Sequence, residues 1–223
     1  LLYHANYSQA PSSDELKKIT KLGIPGALSS GIQAIVTMVL NKFTSIYGSM
    51  PIAVYSVGSQ VESISWLTSE GFASAITAFA GQNFGARKFD RIREMTKKSL
   101  SMMFAAGTVV MLAFIFFGNE IFNIFLPNDP EAVKLGVKYF IILGLSQPLM
   151  NIETGSSGVF NGIGQTRFPG VAGSLLNLLR IPMALFFMRY FDVLGIWISM
   201  SISSILKGLV FYSVLRGRLN ELE

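Results

Sequence analysis

Cysteine is absent from the 223 residues and histidine occurs once. Without thiols there can be no disulfide framework, no thiolate metal site and no cysteine nucleophile. The single histidine, His4, lies in a polar N-terminal stretch. No Ser/His/Asp hydrolase set can be assembled around it, no enzymatic activity is expected, and His4 is assigned no role. Charge is scarce as well. Asp, Glu, Lys and Arg together make up 14% of the chain, where a soluble domain carries about 25%. That leaves too little polar side chain to clothe a globule of this size, and lipid becomes the expected solvent. The formal net charge of +5 would suggest nucleic acid only with a basic face and stacking aromatics. The basic residues fall instead between apolar runs, so no nucleic-acid partner is expected.

What is present is a series of those runs. A helix that spans a bilayer needs about 20 mostly apolar residues. The sequence predicts six: 22–47, 52–81, 99–119, 133–161, 168–190 and 193–215. The third carries no charge over its whole length. A soluble helical bundle would require a charged face with a period near 3.6 residues, which this segment lacks. The second is the weakest, with Glu62, Glu70 and many serines. Residues 1–21 read as a cytoplasmic tail and amphipathic linker, the part from Pro11 to Lys21 lying on the membrane surface. Residues 217–223 read as a C-terminal tail whose Leu222-Glu223 resembles a cloning scar. Residue 1 is Leu and the first methionine is Met38, so the chain reads as a fragment, and no signal-peptide pattern precedes the first run.

Basic residues set the orientation. Lys17, Lys18 and Lys21 precede the first span, Arg87, Lys88, Arg91, Arg93, Lys97 and Lys98 lie between the second and third, Arg167 follows the fourth, and Arg216 and Arg218 follow the sixth. These twelve fall on one side, against Lys134, Lys138 and Arg189 on the other. An even number of spans places both termini together, and every basic cluster lands with them. The expected fold class is therefore all-α: a polytopic, six-transmembrane-helix bundle with both termini cytoplasmic. The Asn6-Tyr7-Ser8 glycosylation pattern is discounted because its tail is placed in the cytoplasm.

Ionisable side chains inside a bilayer cost at least about 2.5 kcal/mol each at a helix centre, so those retained mark function or pairing. Glu62, Glu70 and Glu153 are the acids within spans, and Lys42, Arg180 and Lys207 the bases. Glu62 falls near the midplane, and Glu153 follows Pro148, where a broken helix would free carbonyls for a cation. These two are the candidates for cation coupling. Arg180, Lys42, Lys207 and Glu70 are assigned to structural ion pairing or snorkelling, with Arg180 expected to pair with Glu153. Trp66, one turn from Glu62, offers a face on which a flat organic cation can stack. Gly158-x-x-x-Gly162 reads as a helix-packing motif, and Gly81-x-x-x-Gly85 as a helix stop.

Several stretches, in order, resemble the second half of the multidrug and toxic compound extrusion (MATE) family. They are Leu22-Gly23-Ile24-Pro25, then Gly81-Gln82-Asn83-Phe84-Gly85-Ala86, and Asp129-Pro130-Glu131 with Leu135-Gly136. Next come Gly158-Val159-Phe160-Asn161-Gly162-Ile163-Gly164-Gln165-Thr166-Arg167 and Arg180-Ile181-Pro182. The resemblance implies one of two six-helix lobes around a central cavity, with an N-terminal six-helix lobe as its partner. It implies exchange of H⁺ or Na⁺ for small organic, often cationic, compounds. The ion would be transported cargo, and no cofactor or resident metal is implied. Gln33, Trp66, Asn151 and Asn177 are the expected cavity residues. Two departures stand out, because the Na⁺-coupled branch carries acids where this chain has Gln33 and Met150. Two other readings are kept open. A lipid-linked oligosaccharide or lipid II flippase would require an arginine-dominated cavity, and a non-transporting scaffold would require complete charge pairing and no cavity. The expected location is a bacterial or archaeal cytoplasmic membrane.

Overall fold

The computed structural model describes residues 12–221, so His4, the Asn6 pattern and Leu222-Glu223 lie outside the described residues. Eight helices follow one another: α1 (Ser13–Ser45), α2 (Ser49–Gly85), α3 (Phe89–Phe125), α4 (Pro130–Gly144), α5 (Gln147–Gly162), α6 (Arg167–Leu178), α7 (Arg180–Phe191) and α8 (Val193–Asn220). The pairs α4–α5 and α6–α7 each correspond to one predicted span, so the eight helices make six rods. Both breaks fall just before a proline, Pro148 and Pro182, which has no N–H for the ladder and crowds the carbonyl four residues back. At the first, α4 and α5 are bent by 46°.

By length and composition, α1, α3, the α6–α7 pair and α8 can each cross a membrane, and α4–α5 makes a fifth crossing if the bent pair is one span. α2 is long enough at 37 residues but does not reach the same apolarity, because Ser59, Glu62, Ser63, Glu70 and Ser74 lie along it. The second predicted span is thus the one that composition alone does not carry.

The helices overrun the predicted spans. The surface lead-in expected from Pro11 to Lys21 is instead, from Ser13 on, the start of α1. A reciprocal cap nucleates it: the Glu15 N–H donates to the Ser12 hydroxyl (3.3 Å), and the Ser12 N–H donates to the Glu15 carboxylate (2.8 Å). The first of these causes to act on the carboxylate is the Ser12 backbone N–H and the second its hydroxyl, and together they hold Glu15 below the usual carboxylate range. The basic stretch before the third predicted span is also helical, so α3 runs for about 55 Å, well past a hydrocarbon core of about 30 Å. Gly85 ends α2, in keeping with the stop signal.

α5 is the central rod, packed against α2, α3 and α8. Its approach to α2 depends on the glycine pair. A Cβ on Gly158 would stand 2.7 Å from the Ala73 carbonyl oxygen, and one on Gly162 would stand 2.6 Å from that of Thr77. The closeness lets the Thr77 hydroxyl donate to the Gly158 carbonyl across the seam at 2.9 Å. An aromatic cluster of Phe114, Phe122, Tyr139, Phe140 and Trp197 joins α3, α4 and α8. Outward, α3 presents Val109, Leu112, Phe116 and Phe117, all exposed. A patch this continuous suits lipid and would be an association hazard in water.

Candidate functional site

A polar cavity of about 680 Å³ opens between α1, α2, α5, α7 and α8. Gln33, Glu62, Trp66, Glu70, Glu153, Arg180 and Lys207 all line it, as does Met150. Seven of the ten residues singled out from the sequence therefore meet around one space. Its charged groups are three carboxylates against two cations.

At one end the geometry begins with a buried ring. Tyr139 is wholly buried, edge-on to Trp197 (centroids 5.0 Å) and to Tyr55 (6.1 Å). Gly58 on α2 makes room for it, since a Cβ there would collide with the ring. A buried phenol needs a hydrogen-bond partner. The Tyr139 hydroxyl finds it in Glu62 Oε2, donating at 3.2 Å. Gln147, the first residue of α5, donates from Nε2 to Glu62 Oε1 at 3.0 Å, and its own Oε1 accepts from the Ser65 hydroxyl at 3.1 Å. Both Glu62 oxygens are thus held by neutral donors. Among the described residues Glu62 makes no ion pair.

At the other end lies an ion pair. Lys207 Nζ sits 3.0 Å from both Glu153 oxygens, and the two side chains are only 7% and 16% exposed. The contact follows from backbone approach: Gly208 lies so close to the Leu149 carbonyl that a Cβ there would clash, which sets the adjacent Lys207 against α5. The expected Arg180–Glu153 pair does not form. Arg180 instead donates from Nε to the Ser203 hydroxyl (3.3 Å) and from Nη2 to that of Ser204 (3.0 Å). Nor does Lys207 snorkel. Glu70 is exposed to the cavity and makes no ion pair among the described residues.

Three predicted residues lie elsewhere. Lys42 is exposed near the end of α1, outside the cavity and without an ion pair among the described residues, so of the two roles expected for it pairing is not formed and snorkelling is left. Asn151 is on the opposite face of α5, where its Oδ1 accepts from Ser69 (2.7 Å) and its Nδ2 donates to the Met103 carbonyl (3.1 Å), tying α2, α5 and α3 together. Asn177 is buried in a recess of about 360 Å³ that shares Gln33, Glu70 and Glu153 with the main cavity. Two of the carbonyls beside the break at Pro148 are taken up by serine hydroxyls. The Ile142 carbonyl accepts from Ser201 (2.7 Å) and that of Leu143 from Ser146 (2.8 Å).

Tyr139 and Gln147 were not anticipated. Gln147 had a signal, because a residue immediately before a proline in a span sits at a helix break. Tyr139, a tyrosine within an apolar run, had only the need of a buried hydroxyl for a partner.

Residues 25–186 match the MatE family. Among curated relatives, the chain is 26% identical over 211 residues to a probable multidrug resistance protein NorM of Thermotoga maritima, covering 92% of this chain and 44% of that protein. It is 26% identical over 213 residues to a multidrug export protein MepA of Staphylococcus aureus, covering 94% and 47% respectively. A probable multidrug resistance protein YoeA of Bacillus subtilis is 23% identical over 184 residues, or 81% of this chain and 39% of the relative. The chain thus spans less than half the length of these curated relatives. In fold it is similar to a solved MATE in the bent conformation (TM-score 0.87, 21% identity, 98% of this chain and 49% of that one). It is similar also to an inward-facing multidrug resistance MATE transporter of the MOP superfamily (TM-score 0.83, 20% identity, 96% and 50%).

Proposed function

The chain belongs to the MatE family, and from that premise we propose that it is the second six-helix lobe of a secondary active transporter exporting organic, often cationic, compounds in exchange for H⁺. The observation that carries this reading is the cavity itself: three carboxylates and two cations line a space of about 680 Å³ within membrane helices. The surplus of negative charge suits an organic cation. Trp66, 43% exposed at the cavity wall, supplies an aromatic face for it.

Glu62 and Glu153 are the proposed coupling acids. A proton taken up by either carboxylate from one side of the membrane leaves to the other as the cavity changes the side it faces. The ligand and the proton bias the same two-state equilibrium through their different affinities for the two states. Glu62 is the better placed of the two, because protonating it breaks no ion pair. Protonating Glu153 would leave the Lys207 ammonium without its counter-charge. The choice of H⁺ over Na⁺ rests on Gln33 and Met150, both neutral and both at the cavity wall. The N-terminal six-helix lobe would close the open side, and both termini of this lobe would face the cytoplasm of a bacterial or archaeal cell, as the basic asymmetry implies.

Against a scaffold role stand the cavity and the Glu62 and Glu70 carboxylates, which have no ion-pair partner among the described residues. Against a flippase for anionic pyrophosphate lipids stands the excess of acid over base. The test is dye efflux from vesicles containing the full-length transporter, driven first by a pH gradient and then by a Na⁺ gradient. Efflux should follow the pH gradient and fail in Glu62→Gln. If Glu62→Gln and Glu153→Gln both export at the wild-type rate, the coupling assignment is wrong.

A further inference from the structure

On the far side of α5 from the polar cavity lies a second concavity, of about 840 Å³, between α3 and α8. α5 separates the two spaces. Met150 and Glu153 face the cavity, whereas Leu149 and Ile152 form the floor of the groove. α8 divides in the same way, with Ser204 and Lys207 on one side and Leu209 and Tyr212 on the other.

The groove has a polar end and an apolar end. At one end Arg93, Lys97 and Arg216 line it, and among the described residues no acidic side chain does. Arg93 also bridges α3 and α8, donating from Nε to the Leu219 carbonyl at 2.9 Å, and it pairs with Asp90. Lys97 and Arg216 are exposed and make no ion pair among the described residues, because the neighbouring Glu94 is taken by Lys98 at 2.6 Å. The Thr96 hydroxyl, on a side chain 3% exposed in the same wall, has no hydrogen-bond partner among the described residues. Further along, Phe104, Leu209 and Tyr212 remain 46–49% exposed beside the apolar floor.

We propose that this groove is a binding site for an anionic phospholipid, with the phosphate held between Lys97, Arg216 and Arg93 and an acyl chain lying along Leu149, Ile152 and Tyr212. Basic pockets between membrane helices favour anionic headgroups, and their apolar continuation favours the chain attached to them. The volume is within the range of about 300–1,000 Å³ of ordinary ligand sites, enough for a headgroup and part of one chain. The basic rim belongs to the end of the bundle that carries most of the Lys and Arg, so the lipid comes from that leaflet.

The test is native mass spectrometry of the full-length protein titrated with phosphatidylglycerol and, separately, with phosphatidylcholine of the same chains. Phosphatidylglycerol should bind at least about tenfold more tightly, and Lys97→Gln with Arg216→Gln should weaken it by about fivefold per charge removed. Lys88→Gln with Arg91→Gln removes the same charge from the same end but outside the groove, and should leave binding unchanged. Equal binding of the two lipids would overturn the proposal. So would an equal loss in the two double variants, which would mark a diffuse surface attraction instead of a site.

Discussion

The two ends of the polar cavity treat a carboxylate differently. Glu62 is held by a phenol and an amide, with no cation in ion-pair range among the described residues. Glu153 is held by the Lys207 ammonium, which is itself buried. Neutral donors stabilise a carboxylate through hydrogen bonds alone and also leave room for its neutral form. A buried ion pair is a mutual dependence, in which removing either partner strands a charge in a poor solvent. One end is therefore suited to a change of charge, and the other to a fixed arrangement of α5 against α8.

The sharpest way to break this contrast is at the ion pair. Lys207→Met should destabilise the protein by about 3–5 kcal/mol by leaving Glu153 uncompensated, and Lys207→Met with Glu153→Met should recover most of that loss. Thermal unfolding in detergent measures the cycle, and additive losses would mean that the pair is not coupled. At the other end, Tyr139→Phe and Gln147→Leu should each cost about 1.5–3 kcal/mol, as expected for one hydrogen bond to a charged group. Neutralising Glu62 should relieve both requirements, so Glu62→Gln is expected to unfold within a few degrees of wild type. A loss of stability there as large as for Glu153→Gln would erase the distinction between the two ends.

Smaller effects belong to the start of α1. Because Glu15 is held below the usual carboxylate range when folded, its contribution is present at neutral pH and fades as the pH falls through that lowered value. Hydrogen-exchange protection in the first turn of α1, taken relative to the intrinsic rate at each pH, should fall in Ser12→Ala and, for wild type, as the pH drops below the usual carboxylate range. An unchanged exchange profile in both would show that the cap does not hold the turn.

Much of the fold was legible because lipid imposes a simple compositional demand. The uncharged run inside α3 and the proline at 148 announce their roles without neighbours, whereas the break before Pro182 was not read. What the sequence did not show was which faces meet. Arg180 was the expected partner for Glu153 and Lys207 is the one that pairs with it, a choice that rests on the approach of Gly208 to the Leu149 backbone, a contact between distant segments. Asn151 was misplaced for a related reason. It lies one residue from Met150 but on the other side of α5, where Ser69 and the Met103 carbonyl hold it. The overrun of α1 and α3 beyond their apolar stretches follows from capping and from helix-compatible charged residues, which a hydrophobic window does not weigh.

The break between α4 and α5 bears on mechanics. Where a straight helix bends, it must stretch the hydrogen bonds that make it stiff. Here Pro148 supplies no N–H, and the Ile142 and Leu143 carbonyls already bond to serine hydroxyls. Hydroxyls on rotatable side chains can follow a carbonyl as it swings. The 46° angle is thus a joint lubricated by serine, at which one rod can flex while the helices on either side of it stay rigid.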